Sequence, residues 1–448
     1  MDLSTIFKAY DVRGKVGTEL TPESVRDIGY AFGQWLPDAG VVAVGRDMRP
    51  DSAELAEAMV AGLRAAGRDV WDIGEVTSDM IYFAAGHFNL AGGAMITASH
   101  NPGEYNGIKF CQTGAQPVGI ESGLAEIRDA VTSGTSGTQA DAPTGSYEEK
   151  DVTEAWIQHV LGFIEADKLK SLKVVVDAGN GMAGKIFPEI EPYVPLEVTE
   201  MYFELDGTFP NHVANPIEPE NLIDIIARVK QEKADLGIAF DGDGDRAVLI
   251  DENGEVLSGT TLTALLAEYF LRANKGETVL YNATCGWVVP ETIEASGGKA
   301  VRTKVGHSFI KAEMRTHNAI FAGESSGHYY FRDNFMADSG LIAAMIALAV
   351  ISESDQPVSV LANAYRKYHQ IPETNFVVED KDGIIANLAG GFQGEKQDML
   401  DGLTVYTDNA WFNVRPSNTE PILRLNAEGK QQDSLDKLVA KVTSVIQP

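Results

Sequence analysis

The chain has 448 residues, 44% of them hydrophobic, which is enough for several globular domains with apolar cores. Its 65 acidic and 36 basic residues give a net charge of −29, which excludes nucleic acid and anionic membrane surfaces as partners. Two cysteines, Cys111 and Cys285, are too few for a disulfide framework, and the first residues lack the apolar segment of a secretory signal. The longest apolar run, 341–351, is too short to span a bilayer. We therefore expect a cytoplasmic protein without a membrane span.

A pattern of strand, helix and strand is predicted three times along the chain. It comprises strands at 41–44 and 70–73 around a helix at 52–66, strands at 173–176 and 196–201 around a helical turn at 182–186, and strands at 278–281 and 300–303 around a helix at 288–295. Each repeat is followed by a further apolar strand, at 93–96, 236–240 and 319–322. Strands that alternate with helices predict α/β layering, and such sheets bind ligands at the carboxyl ends of their strands.

Four domains fit this pattern. A Ser/Thr/Gly/Pro-rich excursion at 132–145 ends the first, and the turn signal 251–254 ends the second. The last eighty or so residues lack the repeat and read as a small α+β domain with a C-terminal helix at 434–446. The predicted domains are 1–146, 147–252, 253–368 and 369–448.

The first chemically distinctive segment is 97–109, which reads T-A-S-H-N-P-G-E-Y-N-G-I-K. An apolar strand leads directly into Ser99, with His100 beside it and Lys109 further on. A hydroxyl at the end of a strand, close to charged side chains, is typical of a nucleophile or a phosphorylated serine. The alternative is an ordinary strand-to-helix turn.

The second segment contains three alternating carboxylates, Asp241, Asp243 and Asp245, separated by glycines and followed by Arg246. Glycine lets the backbone curl so that the carboxylates converge on one hard cation. Three carboxylates leave coordination positions for phosphate oxygen, which favours Mg²⁺, and Arg246 can neutralise the same phosphoryl group. The alternatives are a solvated acidic turn and an EF-hand, with Glu252 at its twelfth position. Against the EF-hand, Arg246 replaces the sixth-position glycine and a strand, not a helix, leads in.

The third segment, G-E-S-S-G-H, also follows a strand and contains Glu324, Ser325, Ser326 and His328. A carboxylate and nearby hydroxyls suit hydrogen bonding to adjacent sugar hydroxyls, although a helix N-cap is an equal alternative. His307, in a preceding glycine-flanked run, is a further candidate. Either histidine could instead be structural.

The fourth segment, R-P-S-N-T-E-P, contains Arg415, Ser417, Asn418 and Thr419. An arginine, hydroxyls and an amide around a turn form an anion cradle. Tyr10 and Arg13 lie in a further glycine-containing turn near the start.

With these four segments in this order, one in each predicted domain, the chain resembles the α-D-phosphohexomutase family over essentially its whole length. Within that family it is most similar to phosphomannomutase/phosphoglucomutase enzymes. The residues carrying this resemblance are the serine segment with 105–107 and the G-E-S-S-G-H run. The resemblance implies three similar α/β/α-layered domains plus a C-terminal α+β domain around a central active-site cleft.

The resemblance also implies residue roles. Ser99 is the implied phosphorylated serine and binds Mg²⁺ together with Asp241, Asp243 and Asp245. The implied catalytic group around the phosphoryl unit is Ser99, His100, Lys109, Arg13 and Arg246. The implied substrate-binding residues are Tyr10, His307, Glu324, Ser325, Ser326, His328, Arg415, Ser417, Asn418 and Thr419.

The expected activity is interconversion of hexose 1-phosphate and hexose 6-phosphate through phosphoserine and a bound hexose 1,6-bisphosphate, which also serves as activator. Phosphoryl transfer needs a metal, cations and a positioned acceptor, and these segments contain all three. The sequence does not distinguish mannose, glucose and glucosamine phosphates as substrates. It also does not distinguish a monomer from a homodimer as the oligomeric state. The general base is either Lys109 or His100. Competing hypotheses are a metal-dependent sugar phosphatase, a phosphoglucosamine mutase, and a non-catalytic sugar-phosphate or Ca²⁺-binding module.

Overall fold

A computed structural model describes residues 3–134, 144–417 and 422–447 of the chain. Its first region alternates strands and helices. The strands are β1 Val12–Lys15, β2 Val42–Arg46, β3 Val70–Glu75, β4 Gly92–Ile96, β5 Tyr105–Gln112, β6 Gln116–Pro117 and β7 Tyr147–Glu149. The helices are α1 Pro22–Trp35, α2 Ser52–Ala65, α3 Ser78–His87 and α4 Leu124–Thr132.

The second region repeats the alternation. Its strands are β8 Leu172–Asp177, β9 Leu196–Met201, β10 Leu236–Phe240, β11 Ala247–Asp251 and β12 Val256–Leu257, and its helices are α5 Thr153–Leu161, α6 Ala183–Ile190 and α7 Ile223–Glu232. The third region contains strands β13 Thr278–Asn282, β14 Lys299–Thr303, β15 Phe321–Gly323, β16 Tyr329–Phe331 and β17 Ala337–Asp338. Its helices are α8 Gly259–Ala273, α9 Val288–Ala295, α10 His307–His317, α11 Gly340–Glu353 and α12 Val358–Asn363.

The last region is mainly antiparallel. Its strands are β18 His369–Gln370, β19 Thr374–Val377, β20 Lys396–Asp398, β21 Leu403–Tyr406, β22 Ala410–Pro416 and β23 Ile422–Gly429, and its helices are α13 Lys381–Gly391 and α14 Gln432–Ile446. Neighbouring pairs among β20 to β23 are antiparallel. Leu435, Leu438, Val442 and Ile446 recur every three or four residues and form the buried face of α14.

The first three regions share one strand arrangement. In the first, β4, β2 and β3 are parallel neighbours in that order. In the second, β10, β8 and β9 have the same relation, and in the third β15, β13 and β14 do. An antiparallel strand adjoins β4 and β10, namely β5 and β11. The repeat predicted from the sequence is therefore confirmed, and β4, β10 and β15 are equivalent strands.

Local sequence explains where the elements begin and what they bury. Helix α1 begins after Thr21, whose hydroxyl accepts a hydrogen bond from the Ser24 amide. The Ser24 hydroxyl accepts one from the Thr21 amide, so that the two residues form a capping box. Val174, Val175 and Val176 in β8 are fully buried, as expected for a parallel strand covered on both faces. The apolar run at 341–351 lies in the buried helix α11. Over residues 3–134, 144–417 and 422–447, no helix is both long enough and apolar enough to cross a bilayer.

Backbone contacts divide the chain into two compact units. Unit 1 comprises Met1–Ser258 and Ser326–Ser359, and unit 2 comprises Gly259–Ser325 and Val360–Pro448. The serine and carboxylate segments belong to unit 1, whereas Glu324 and Arg415 belong to unit 2.

Candidate active site

Ser99 follows β4 in a strained, buried position. Its backbone has φ +49°, in the left-handed region that a non-glycine residue seldom adopts, and the residue is only 5% exposed. The Ser99 amide donates to the Thr97 hydroxyl at 2.9 Å. The Ser99 hydroxyl donates to Asp241 Oδ2 at 3.0 Å and lies 3.1 Å from Nδ1 of His100. The hydroxyl thus lies between a carboxylate and an imidazole.

The three carboxylates follow β10, the strand equivalent to β4. Each of Asp241, Asp243 and Asp245 is at most 4% exposed, and each offers an oxygen within 4.8 Å of the others. Glycine is required between them, because a Cβ at Gly242 would lie 2.6 Å from the Ser99 carbonyl oxygen. The close approach of the two loops brings Ser99 to the carboxylates.

Lys109 joins the serine region to this cluster. It lies in β5, antiparallel to β4 and opposite Met95, because the chain returns along β4 directly after the serine loop. Its ammonium contacts Asp243 Oδ2 and Asp245 Oδ2, each at 2.7 Å. Ser78, at the start of α3, also donates to Asp243 Oδ2. Sequence reasoning missed Ser78.

These contacts set the charge states in the cluster. Burial, reinforced by Asp245 and opposed by Arg246, raises the pKa of Asp241 to about 7. Burial would also raise the pKa of Asp245, but Lys109 and His328 hold it well below its usual range. Burial opposes charge on Lys109, yet its two carboxylate partners place its pKa well above the ordinary value. Lys109 is therefore a fixed cation in this arrangement.

His100 has the opposite character. Burial lowers its pKa well below the usual value, and the cations Arg246 and Arg13 add to this effect. The imidazole is consequently neutral near pH 7 and can accept a proton. Of the two candidate bases named from the sequence, His100 is the uncharged one, and its Nδ1 lies against the Ser99 hydroxyl.

The acidic cluster suits a divalent cation. Asp243 Oδ1 is buried and accepts no hydrogen bond from the described residues, which is rare for a carboxylate oxygen in a folded protein. Hard oxygen donors gathered this closely are the ligands that Mg²⁺ prefers. The donor set therefore fits Mg²⁺.

Two arginines in unit 1 have donors available for an anion. Arg246 Nε donates to Asp241 Oδ2 at 2.9 Å, while its buried Nη2 has no acceptor among the described residues. Arg13 contacts Asp11 and Asn101, and its buried Nε likewise has no acceptor there. Tyr10, just before Asp11, is half-buried. Unsatisfied buried donors beside the serine are consistent with a phosphoryl ligand.

The second half of the third segment lies in unit 1. His328 pairs with Arg246 through an isolated β-bridge, its Nδ1 is 3.1 Å from the Ser326 hydroxyl, and its Nε2 is 3.5 Å from Asp245 Oδ1. Ser99, His100, Lys109, Arg246, His328 and the three aspartates therefore form one cluster.

The first half of the third segment lies in unit 2, after β15. Glu324 Oε1 accepts hydrogen bonds from Asn282 Nδ2 and the Gly306 amide, both at 3.2 Å. The Ser325 hydroxyl lies 2.6 Å from that of Thr284. His307, the first residue of α10, is half-buried. Asn282 and Thr284, missed from the sequence, hold this loop in place.

The fourth segment connects β22 and β23 in unit 2. Arg415 and Ser417 are 7% and 8% exposed, and Asn418 and Thr419 lie outside the described residues. Arg415 Nη2 donates to Glu373 Oε2 at 3.1 Å, while its buried Nε has no acceptor among the described residues. Glu373 also accepts from Arg424 at 2.9 Å and from Asn426 at 3.0 Å. Glu373, another residue missed from the sequence, thus anchors Arg415.

Comparison with known proteins gives consistent matches along the whole chain. Four models of the phosphoglucomutase/phosphomannomutase family match it: α/β/α domain I at residues 4–138, domain II at 154–254, domain III at 258–368 and the C-terminal domain at 373–445. The prediction of three α/β/α domains plus a C-terminal domain is confirmed by these matches and by the sheets described above.

Relatives of similar length share more than a third of their residues with the chain. The phosphohexose mutases of Xanthomonas campestris pv. campestris are 40% identical over 432 residues, 96% of each chain. A phosphomannomutase of Vibrio cholerae is 38% identical over 457 residues, 99% of this chain and 98% of its own. A crystal structure of a phosphoglucomutase/phosphomannomutase family protein from Burkholderia thailandensis has a TM-score of 0.91 and 32% identity, covering 99% of this chain and 97% of that one.

Proposed function

Since this chain belongs to the phosphoglucomutase/phosphomannomutase family and is an isomerase that moves a phosphoryl group within a sugar phosphate, we propose that Ser99 carries that group. The observation that supports this most directly is the position of its hydroxyl, 3.0 Å from Asp241 and 3.1 Å from a neutral His100. A buried serine beside a carboxylate cluster and unsatisfied arginine donors suits a phosphoryl carrier.

In the first half of the proposed reaction, the bond between phosphorus and Ser99 Oγ breaks while one forms to O6 of a hexose 1-phosphate. The product is a hexose 1,6-bisphosphate, which turns around within the site. In the second half, the bond from phosphorus to O1 breaks and Ser99 Oγ recovers the phosphoryl group, leaving hexose 6-phosphate. When the O6 hydroxyl attacks in the first half, it loses its proton, and Ser99 Oγ takes up a proton as the phosphoryl group leaves it. When the Ser99 hydroxyl attacks in the second half, its proton passes to Nδ1 of His100 and O1 takes up a proton, so that no proton is gained or lost over the whole reaction.

Asp241, Asp243 and Asp245 would hold Mg²⁺, together with the group on Ser99. When bound, Mg²⁺ supplies positive charge that stabilises the oxygens of the transferring phosphoryl group. Lys109, with its raised pKa, keeps a positive charge against Asp243 and Asp245. Arg246 Nη2 and Arg13 Nε, which have no acceptor among the described residues, would donate hydrogen bonds to the phosphoryl oxygens.

The remaining residues are proposed to bind the substrate away from the reacting phosphoryl group. Glu324 and Ser326 would accept hydrogen bonds from sugar hydroxyls, and Tyr10, Ser325, His307 and His328 are further proposed substrate-binding residues. Arg415, Ser417, Asn418 and Thr419 would bind the phosphate that is not reacting, and the free Nε of Arg415 supports this for the described part of that set. Hexoses phosphorylated at O1, namely mannose, glucose and glucosamine 1-phosphates, are the proposed substrate class.

Ser99→Ala tests the proposal. We expect the variant to keep its fold and to lose hexose 6-phosphate formation, since the acceptor atom is gone. Phosphate release is measured in parallel for the wild type, because a sugar phosphatase would release inorganic phosphate in place of hexose 6-phosphate. A Ser99→Ala variant that retains mutase activity, or a wild type that only releases phosphate, contradicts the proposal.

A further inference from the structure

Arg49, just after β2, has every donor of its guanidinium engaged. The side chain is 1% exposed and directs four hydrogen bonds at backbone carbonyl oxygens of the serine loop, defined here as residues 99–105. The acceptors and distances are Ser99 at 2.8 Å, Asn101 at 2.6 Å, Pro102 at 2.9 Å and Tyr105 at 2.9 Å. The fifth donor, Nε, binds Asp47 Oδ2 at 3.2 Å. An arginine has five N–H donors, so none remains for a ligand.

Arg49 is itself held from several sides. Asp47 is buried and accepts a hydrogen bond from the Ser52 hydroxyl. The Ser52 hydroxyl in turn accepts a hydrogen bond from Asn106 Nδ2 at 2.9 Å. The Phe209 ring covers the guanidinium, with its centroid 5.2 Å from Cζ. This network fixes the position from which Arg49 contacts the serine loop.

The serine loop needs such a restraint. Ser99 has φ +49°, which costs free energy in a residue with a side chain and persists only where surrounding contacts enforce it. The Ser99 amide donates a hydrogen bond to Thr97 and the Ser99 hydroxyl donates one to Asp241. The Ser99 carbonyl accepts a hydrogen bond from Arg49. A hydroxyl displaced by about 1 Å from its transfer geometry can lose about 100-fold in rate.

We propose that Arg49 is a positioning residue for phosphoryl transfer, holding Ser99 in its left-handed conformation through the four loop carbonyls. The inference rests on the proposed function of Ser99. Arg49 acts through the loop backbone and does not contact the sugar phosphate. Its loss therefore lowers kcat and leaves KM for hexose 1-phosphate unchanged, which separates it from an arginine that binds substrate.

Arg49→Lys is the direct test, because an ammonium has three donors and cannot bind four carbonyls and a carboxylate. We expect kcat to fall by about 100-fold with KM nearly constant. The single-turnover rate of phosphoryl transfer from glucose 1,6-bisphosphate to Ser99 should fall in parallel. Arg68→Lys is the matched control, since Arg68 also binds three backbone carbonyls, of Gly33, Leu36 and Asp38, at and just after the C-terminal end of α1. Arg68→Lys should lower Tm and leave kcat near the wild-type value.

Asp47→Asn is the second variant, and it decides the question if Arg49→Lys does not fold. It removes the charge that orients Arg49 and keeps an acceptor oxygen, so kcat should fall by about 10-fold at constant KM. Unchanged kcat in the folded variants, or a raised KM at constant kcat, overturns the inference. A wild type that never transfers a phosphoryl group to Ser99 overturns the proposed function instead, and the two failures are thereby distinguished.

Discussion

Ser99 Oγ lies 3.0 Å from Asp241 Oδ2, although 142 positions separate the two residues in the chain. Ser99 follows the carboxyl end of β4 and Asp241 that of the equivalent strand β10, and the two loops approach closely where Gly242 faces the Ser99 carbonyl. A transferable group on Ser99 would lie against the proposed metal ligands. The proposed chemistry thus depends on the close approach of these two loops.

Asp243→Asn should weaken Mg²⁺ binding. The substitution removes one charge from the carboxylate cluster, and we expect the Mg²⁺ concentration for half-saturation to rise by at least about 10-fold. The measurement is the increase in Tm as Mg²⁺ is titrated, which needs no turnover. Asp251→Asn, another buried carboxylate of the same sheet, is the control and should keep the wild-type Mg²⁺ response. If both variants show the same increase in Tm with Mg²⁺ concentration, Asp243 is not a ligand of the metal.

Glu373→Gln should affect substrate binding more than the chemical step. Glu373 carries a lowered pKa, although burial opposes this, because Arg415 and Arg424 stabilise its charged form. Loss of that charge frees Arg415 from its position, so we expect KM to rise by about 10-fold with kcat little changed.

A double variant shows whether Glu373 acts through Arg415. When Arg415→Ala is already present, Glu373→Gln should raise KM no further, since its partner has gone. Glu379→Gln, an exposed carboxylate in the same region, is the control. Additive effects on KM would show that Glu373 acts independently of Arg415.

Thr284→Val tests the loop that carries Glu324. The Thr284 hydroxyl donates to Asn282 Oδ1 at 3.1 Å and lies 2.6 Å from the Ser325 hydroxyl, and valine keeps the shape without the hydroxyl. We expect about 1 kcal/mol less binding energy for hexose 1-phosphate, observed as a KM about five-fold higher. Thr292→Val, a buried threonine of α9, serves as the control. A KM of Thr284→Val equal to that of the wild type would show that Thr284 does not contribute to substrate binding.

His212 should make stability depend on pH. Burial opposes its charge, but hydrogen bonding to Asp177 at 3.1 Å outweighs this and raises the pKa of His212 in the folded protein. A raised folded-state pKa gives stability that is fully present below the unfolded value of about 6.5 and is lost as pH rises through the folded value. The Tm difference between wild type and His212→Asn should therefore be larger at acid pH and shrink on the alkaline side. A His212→Asn difference that grows with pH would contradict the assignment.

Much of the fold follows from patterns that are local in sequence. The apolar strand predicted at 236–240 is β10 itself, and the helix predicted at 52–66 is α2 within one residue. The helical turn predicted at 182–186 is part of a longer helix, α6, which ends at Ile190. The prediction stopped short because a proline, here Pro188, normally ends a helix. The strand predicted at 319–322 begins only at Phe321, since the apolar run starts before the pairing does.

The site was predictable where its chemistry lies in one segment. The aspartates of the second segment and the serine of the first are recognisable from residue type and spacing alone. Arg49 and Ser78 were not, because the loop carbonyls that Arg49 binds and the carboxylate that Ser78 binds lie 50 or more positions away. No local pattern distinguishes the two from ordinary loop and helix-start residues. Glu373 has the same character, with partners in β22 and β23.

Single-turnover transfer is the most direct test of the central claim. Unphosphorylated enzyme is mixed with labelled glucose 1,6-bisphosphate and Mg²⁺, and the modified residue is identified by peptide mass spectrometry. We predict one phosphoryl group on Ser99, formed at least as fast as kcat and transferred on to added hexose 1-phosphate. A label that appears on another residue, or on Ser99 more slowly than turnover, would contradict the proposal that this serine carries the group.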